Sequence, residues 1–133
     1  MDADRSMEAE RIVRRFLDAV EARDLDALAA CFSEDARYQN VPHEPAVGPD
    51  AIRRLFAPIL ARSEAVRWEL VNAAYRPGQA FLERVDRFVI DGTEYAVACN
   101  GVYELDEARG LIIEVRDYVD LGPWRERLAH LGL

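Results

Sequence analysis

The chain has 133 residues, half of them hydrophobic, and a formal net charge of −8 in which every one of the 17 basic residues is an arginine. That is the length of one domain, expected to span 1–133, with enough apolar material for a core and a cavity. An acidic balance of this kind argues against nucleic acid or an anionic membrane as partner, because both require a basic face.

Taken in order, residues Met7 to Ala22 place Ile12, Val13, Phe16, Leu17 and Val20 at helical spacing. A shorter helix is expected from Leu25 to Phe32. Ser33-Glu34-Asp35 breaks the pattern, and Ala36 to Asn40 reads as a short strand. Val41 to Pro49 carries three prolines and a glycine and is expected to be a loop. Asp50 opens a third helix with Ile52, Leu55, Phe56 and Ile59 facing inward, and Pro58 predicts a kink or an early end. The second half changes period. Val66 to Tyr75, Ala80 to Ile90, Glu94 to Leu105 and Gly110 to Asp120 read as four strands in a meander. The Asp91-Gly92 pair marks a type I′ hairpin turn, which needs positive φ at both central positions. Pro123 to Leu133 closes the chain as a short helix or tail with Trp124, Leu128 and Leu131 on one face.

Helices first and a meander afterwards predict an α+β fold. Strands near ten residues long imply a strongly curved, mainly antiparallel sheet wrapped around the helices, a cone with an internal pocket. No run approaches the ~20 apolar residues that cross a bilayer. The first ten residues are acidic and lack the apolar stretch of a signal peptide, so a cytoplasmic protein is expected. Cys31 and Cys99 lie outside any ligand or redox spacing and read as small buried hydrophobes rather than a disulfide.

Charges sit where apolar residues belong. The even face of Phe81 to Ile90 reads Leu82, Arg84, Asp86, Phe88, Ile90, and the odd face of Leu111 to Asp120 reads Leu111, Ile113, Val115, Asp117, Val119. A lone buried carboxylate costs several kcal/mol unless it is paired, and Arg84 is available to both Asp86 and Asp117. On the preceding short strand Tyr38 and Asn40 share a face, and with a carboxylate they could hold one water by three hydrogen bonds. Such a cluster is either a structural Asp–Arg pairing or an acid–base site. One arginine between two carboxylates lets one stay ionised while the other holds a proton. His43 and His130 are far apart and unmotivated as ligands. There is no glycine-rich phosphate loop and no activated serine or cysteine signature, so neither metal nor cofactor is expected.

The segments YQNVPHEPAVG (Tyr38 to Gly48), ERVDRF (Glu83 to Phe88), NGVYEL (Asn100 to Leu105) and VRDYVD (Val115 to Asp120) resemble the limonene epoxide hydrolase-like enzymes. These belong to the wider NTF2-like and SnoaL-like group of cone-shaped α+β folds, which includes ketosteroid isomerases and polyketide cyclases. The resemblance implies that Asp117 is the base that takes a proton from water, that Tyr38 and Asn40 position that water, that Asp86 protonates the epoxide oxygen, and that Arg84 bridges the carboxylates. It implies one-step opening of a small apolar epoxide by water to a vicinal diol, without a covalent ester, in a homodimer. Leu55, Phe56, Ile59, Leu82, Phe88, Ile113 and Val115 are the expected pocket walls. Asn100, where an apolar residue was expected, is a further candidate for substrate contact. The rival expectations are an isomerase or cyclase of the same superfamily and a non-enzymatic carrier of apolar ligands or dimerisation module.

Overall fold

A computed structural model describes the backbone of residues 2–133 and the side chains from residue 7 onward. The acidic N-terminal stretch thus lies largely outside the described side chains. The elements run α1 (Asp2–Glu21), α2 (Leu25–Ala29), β1 (Phe32–Val41), β2 (Ala46–Val47), α3 (Pro49–Arg62), β3 (Ala65–Arg76), β4 (Gln79–Ile90), β5 (Thr93–Asp106), β6 (Leu111–Tyr118) and α4 (Leu121–Leu128), followed by a 3₁₀ turn at Ala129–Leu131. The fold is α+β, as the period change along the chain implied.

The six strands form one curved sheet in the order β2-β1-β6-β5-β4-β3. All neighbours are antiparallel except β1 and β6, which run parallel. The β4–β5 turn has the expected geometry, with φ of 52° at Asp91 and 78° at Gly92. The apolar stripe of α1 is buried in full at Ile12, Val13, Phe16, Leu17 and Val20. Phe16 is its centre, with ring centroids 5.4–6.2 Å from Phe32, Tyr38, Phe56, Trp68 and Tyr103. Those to Phe32, Phe56 and Trp68 are edge-to-face and those to Tyr38 and Tyr103 tilted; such contacts add to area burial and tie one helix to α3 and to strands on both sides of the sheet.

Four expectations are corrected. Ser33-Glu34-Asp35 does not end a helix before a separate strand; it lies inside β1, where the pairing with β6 slips between Phe32 and Arg37. The break signal is real but is absorbed as an irregularity of the strand. The proline-rich loop contains the two-residue strand β2, and α3 begins at Pro49 instead of Asp50, proline being well suited to the first helical turn. Pro58 neither ends nor interrupts α3, which continues to Arg62. Pro58 is exposed, so water can satisfy the carbonyl that its missing N–H leaves free. On the same helix Leu55 is 41% exposed, while Ile52, Phe56 and Leu60 are the buried positions.

Candidate active site

The charged cluster forms as the alternation implied. Every even residue of β4 from Ala80 to Ile90 faces inward, which carries Arg84 and Asp86 under the helices. Arg84, Asp86 and Asp117 are 1%, 5% and 3% exposed, so their charges must be answered within the protein. Arg84 answers both. Its Nε and Nη2 donate to Asp86 Oδ1 and Oδ2 at 2.9 Å each. Its Nη1 and Nη2 donate to Asp117 Oδ1 and Oδ2 at 3.1 Å each. The planar guanidinium is thereby forked on two sides at once, a geometry that lysine could not reproduce.

Three further side chains complete the cluster. Tyr38 Oη donates to Asp117 Oδ2 at 2.5 Å. Tyr103 Oη accepts from Arg84 Nη1 at 2.6 Å. Cys99 Sγ accepts from Arg84 Nη2 at 3.2 Å. The Arg84 guanidinium carbon also sits 4.3 Å from the centroid of the Trp68 ring, a cation–π contact in a desolvated setting. Both cysteines are free and buried.

Burial pushes the Asp86 carboxyl above its ordinary range, against the opposing charge and hydrogen bonds of Arg84. Burial works against the charge of Arg84, but Asp117, Tyr103 and Asp86 outweigh it and hold the guanidinium protonated. Burial, then the neighbouring Asp117 charge, drives Tyr38 and the Cys99 thiol well up, so both stay neutral.

The cluster lies at the boundary between sealed core and an open cavity of about 570 Å³. From the expected set, Tyr38, Asn40, Leu55, Phe56, Ile59, Asp86, Phe88 and Asp117 line that cavity. Asn40 does so with a side-chain amide that has no partner among the described residues, directly beside Asp117 in the β1–β6 register. Four expected wall residues do not line it. Leu82 and Val115 face inward but lie two residues beyond Arg84 and Asp117, on the sealed side, and are core. Ile113 is 39% exposed, because the β5–β6 register slips between Glu104 and Leu105 and the extra residue bulges outward. Asn100 is exposed on the outer face of the sheet, in register with Glu83 and Tyr118. The pleat of β5 turns it away from this cavity, whose lining it does not join.

The inward residues of that strand are instead Cys99, Gly101, Tyr103 and Leu105. This phase was readable from the alternation had β5 been anchored on Tyr103, the bulky member of the run. Gly101 is what makes room for the cluster: a Cβ there would fall 2.7 Å from both Arg84 Nη1 and Asp117 Oδ1. The remaining wall comes from elements that sequence reasoning left out of the site. Trp68 of β3, Val97 of β5, and Leu121, Trp124, Arg125 and Leu128 of α4 close the cavity over Phe88. The signal for α4 was its apolar face, for which the sequence named no partner. Among the described residues no cluster of His, Cys, Asp and Glu is arranged to hold a metal ion.

Fold and site define an NTF2-like α+β protein with a buried acid–arginine–acid cluster at the floor of a largely apolar cavity. Residues 13–115 match the SnoaL-like domain, and the chain belongs to that family. Among solved structures it is similar to an LEH-like epoxide hydrolase of M. tuberculosis, at 26% identity and a TM-score of 0.77, covering 94% of this chain and 92% of that one. A protein of Shewanella denitrificans described as a SnoaL-like polyketide cyclase aligns at 10% identity and a TM-score of 0.79, over 92% of this chain and 97% of that one. A Catenulispora acidiphila protein with a ketosteroid isomerase-like fold, in complex with trimethylamine, aligns at 24% identity and a TM-score of 0.73, over 92% of each chain. The last two likenesses concern the fold alone.

Proposed function

We propose that this protein is a cofactor-independent epoxide hydrolase that adds water to a largely apolar epoxide and releases a vicinal diol. The observation that carries this reading is the single guanidinium forked between Asp86 and Asp117 at the floor of the cavity. In this reaction Asp117 is the base, Asp86 the acid that brings the proton, and Arg84 the cation between them. Asp117 takes a proton from a water that also touches Tyr38 and Asn40. The water oxygen forms a bond to one epoxide carbon as the carbon–oxygen bond breaks, and Asp86 delivers its proton to the departing oxygen. Atoms and charge balance: the base has gained the proton that the acid has lost, and its return to Asp86 resets the site. The raised proton affinity of Asp86 suits the acid role, and the free amide of Asn40 suits a water ligand.

A panel of epoxides from monocyclic terpene to sterol size, with diol detection, tests the activity. The mechanism is tested by a single turnover in ¹⁸O-water with enzyme in excess, which places the heavy atom in the diol if water attacks directly. An unlabelled diol would show that a carboxylate attacked first and would overturn the one-step route. The second reading, an isomerase or cyclase, is supported by the fold shared with SnoaL-like proteins and gives a product with no oxygen from water. A homodimer is proposed with it, using the outer face of the sheet, where Val71, Phe81 and Tyr118 are 52%, 40% and 48% exposed.

A further inference from the structure

The cavity has a second polar end. Its floor is the Asp86–Arg84–Asp117 cluster, and its walls are mostly apolar. At its mouth stands one cation, Arg125 of α4, exposed to solvent and on the cavity lining. No carboxylate among the described residues pairs with it. Its neighbour in the same helical turn behaves differently: Arg127 lies over the Trp124 ring, 5.0 Å from its centroid, and donates to the Ala96 carbonyl. Trp124 is buried, with its ring centroid 5.9 Å from that of Phe88, and this fixes which way α4 faces. Arg125 is thereby held at the rim. The helix dipole accounts for a cation in this last turn, but not for one placed on the cavity wall and left without a partner.

We propose that Arg125 is a carboxylate-binding subsite, and that the ligand of this cavity is an amphiphile with an apolar body and an anionic tail. The inference rests on the hydrolase reading for the reactive end of that ligand, which would then be an epoxide on an acid-bearing chain. Charge fixes the direction of entry. The cation of the floor is already taken up by Asp86 and Asp117 and offers nothing to an anionic tail, which would lose its water there, while the guanidinium at the mouth attracts the tail and keeps it near water. The apolar body fills the walls between them, and the epoxide end reaches Asp86 and Asp117. A neutral terpene or sterol oxide would leave Arg125 unused.

Binding can be read without turnover, because both tryptophans of the chain, Trp68 and Trp124, line the cavity. Decanoate, decanol and methyl decanoate are titrated against intrinsic fluorescence. Decanoate should bind about three- to tenfold tighter than the two neutral ligands, the effect of one charge-assisted contact near solvent. Rising salt should shrink that preference. In Arg125→Gln the preference should vanish, while in Arg54→Gln, an exposed arginine of α3 off the cavity, it should persist. Equal or weaker binding of decanoate, or a preference that survives in Arg125→Gln, overturns the subsite. The two readings fail separately. Hydrolysis of neutral epoxides with no acid preference removes the subsite alone, whereas an acid preference without diol from any epoxide, acid-bearing ones included, removes the hydrolase alone.

Discussion

At the scale of single residues, the site depends on one cation shared by two buried carboxyl groups. Replacing Asp86 or Asp117 by Asn should lower turnover by roughly 10²–10⁴-fold, the contribution of a positioned acid or base; near-native rates in a folded variant would remove that residue from the mechanism. Arg84→Ala strips two buried carboxyl groups of their shared cation and leaves Asp117 with the Tyr38 hydroxyl in its place, a loss of about 3–5 kcal/mol. The variant should melt on the order of 10 °C or more below the parent at neutral pH, and an unchanged melting curve would show that the cluster is solvated. The raised Asp86 gives the pH dependence its sign. The folded state holds this proton more tightly than the unfolded chain does, so the associated stability is complete below the ordinary aspartate range and is lost as pH rises through the folded value. As the acid, Asp86 should also give kcat/KM a limb that falls as pH rises through that same value. Rates that stay level with rising pH across and beyond the ordinary carboxylate range would contradict the assignment.

At the scale of elements, the site is a matter of strand phase. A strand shifted by one residue exchanges its inner and outer faces, and β5 shows the consequence in Gly101 and Asn100. Gly101 occupies the inner position, and its missing side chain lets Arg84 reach Asp117. Gly101→Ala should fold, since alanine is tolerated in a strand, yet it must displace one of the two charged groups. Activity should fall by at least about tenfold, measured as kcat alongside a circular dichroism spectrum of the parent type. Full activity in that variant would mean that the guanidinium–carboxylate contact is not required. The bulge in β6 acts in the same way, turning Ile113 outward while keeping Val115 and Asp117 on the inner face.

At the scale of the whole molecule, α4 and the outer sheet face matter most. The helix covers the open end of the cone, so the cavity owes much of its apolar wall to the last elements of the chain. Opposite it, Val71, Phe81 and Tyr118 are exposed apolar side chains on a β-sheet whose inner face is already covered. If two copies pack through that face, sedimentation should report a dimer, and Phe81→Glu should shift it toward monomer. A parent protein that sediments as a monomer at micromolar concentration would overturn the dimer.

The amino-acid sequence determined what local patterning controls. Helical spacing placed α1, period-two alternation placed β3 to β6, and Asp91-Gly92 placed a hairpin. The alternation also put Arg84, Asp86 and Asp117 on inner faces, because side-chain direction in a regular strand follows from position alone. Tertiary structure decided whatever depended on register between distant segments. A bulge cannot be seen from one strand, so the inward face expected for Ile113 fails, whereas the outward face of Asn100 follows from plain alternation once the bulky Tyr103 is set inward. Depth was equally hidden: Leu82 and Phe88 occupy the same face of β4, but only the packing of helices at one end and an open mouth at the other makes one of them core and the other wall. The places of Trp68, Cys99 and α4 at the site follow from the closing of the cone, a long-range event with no local signature in the chain.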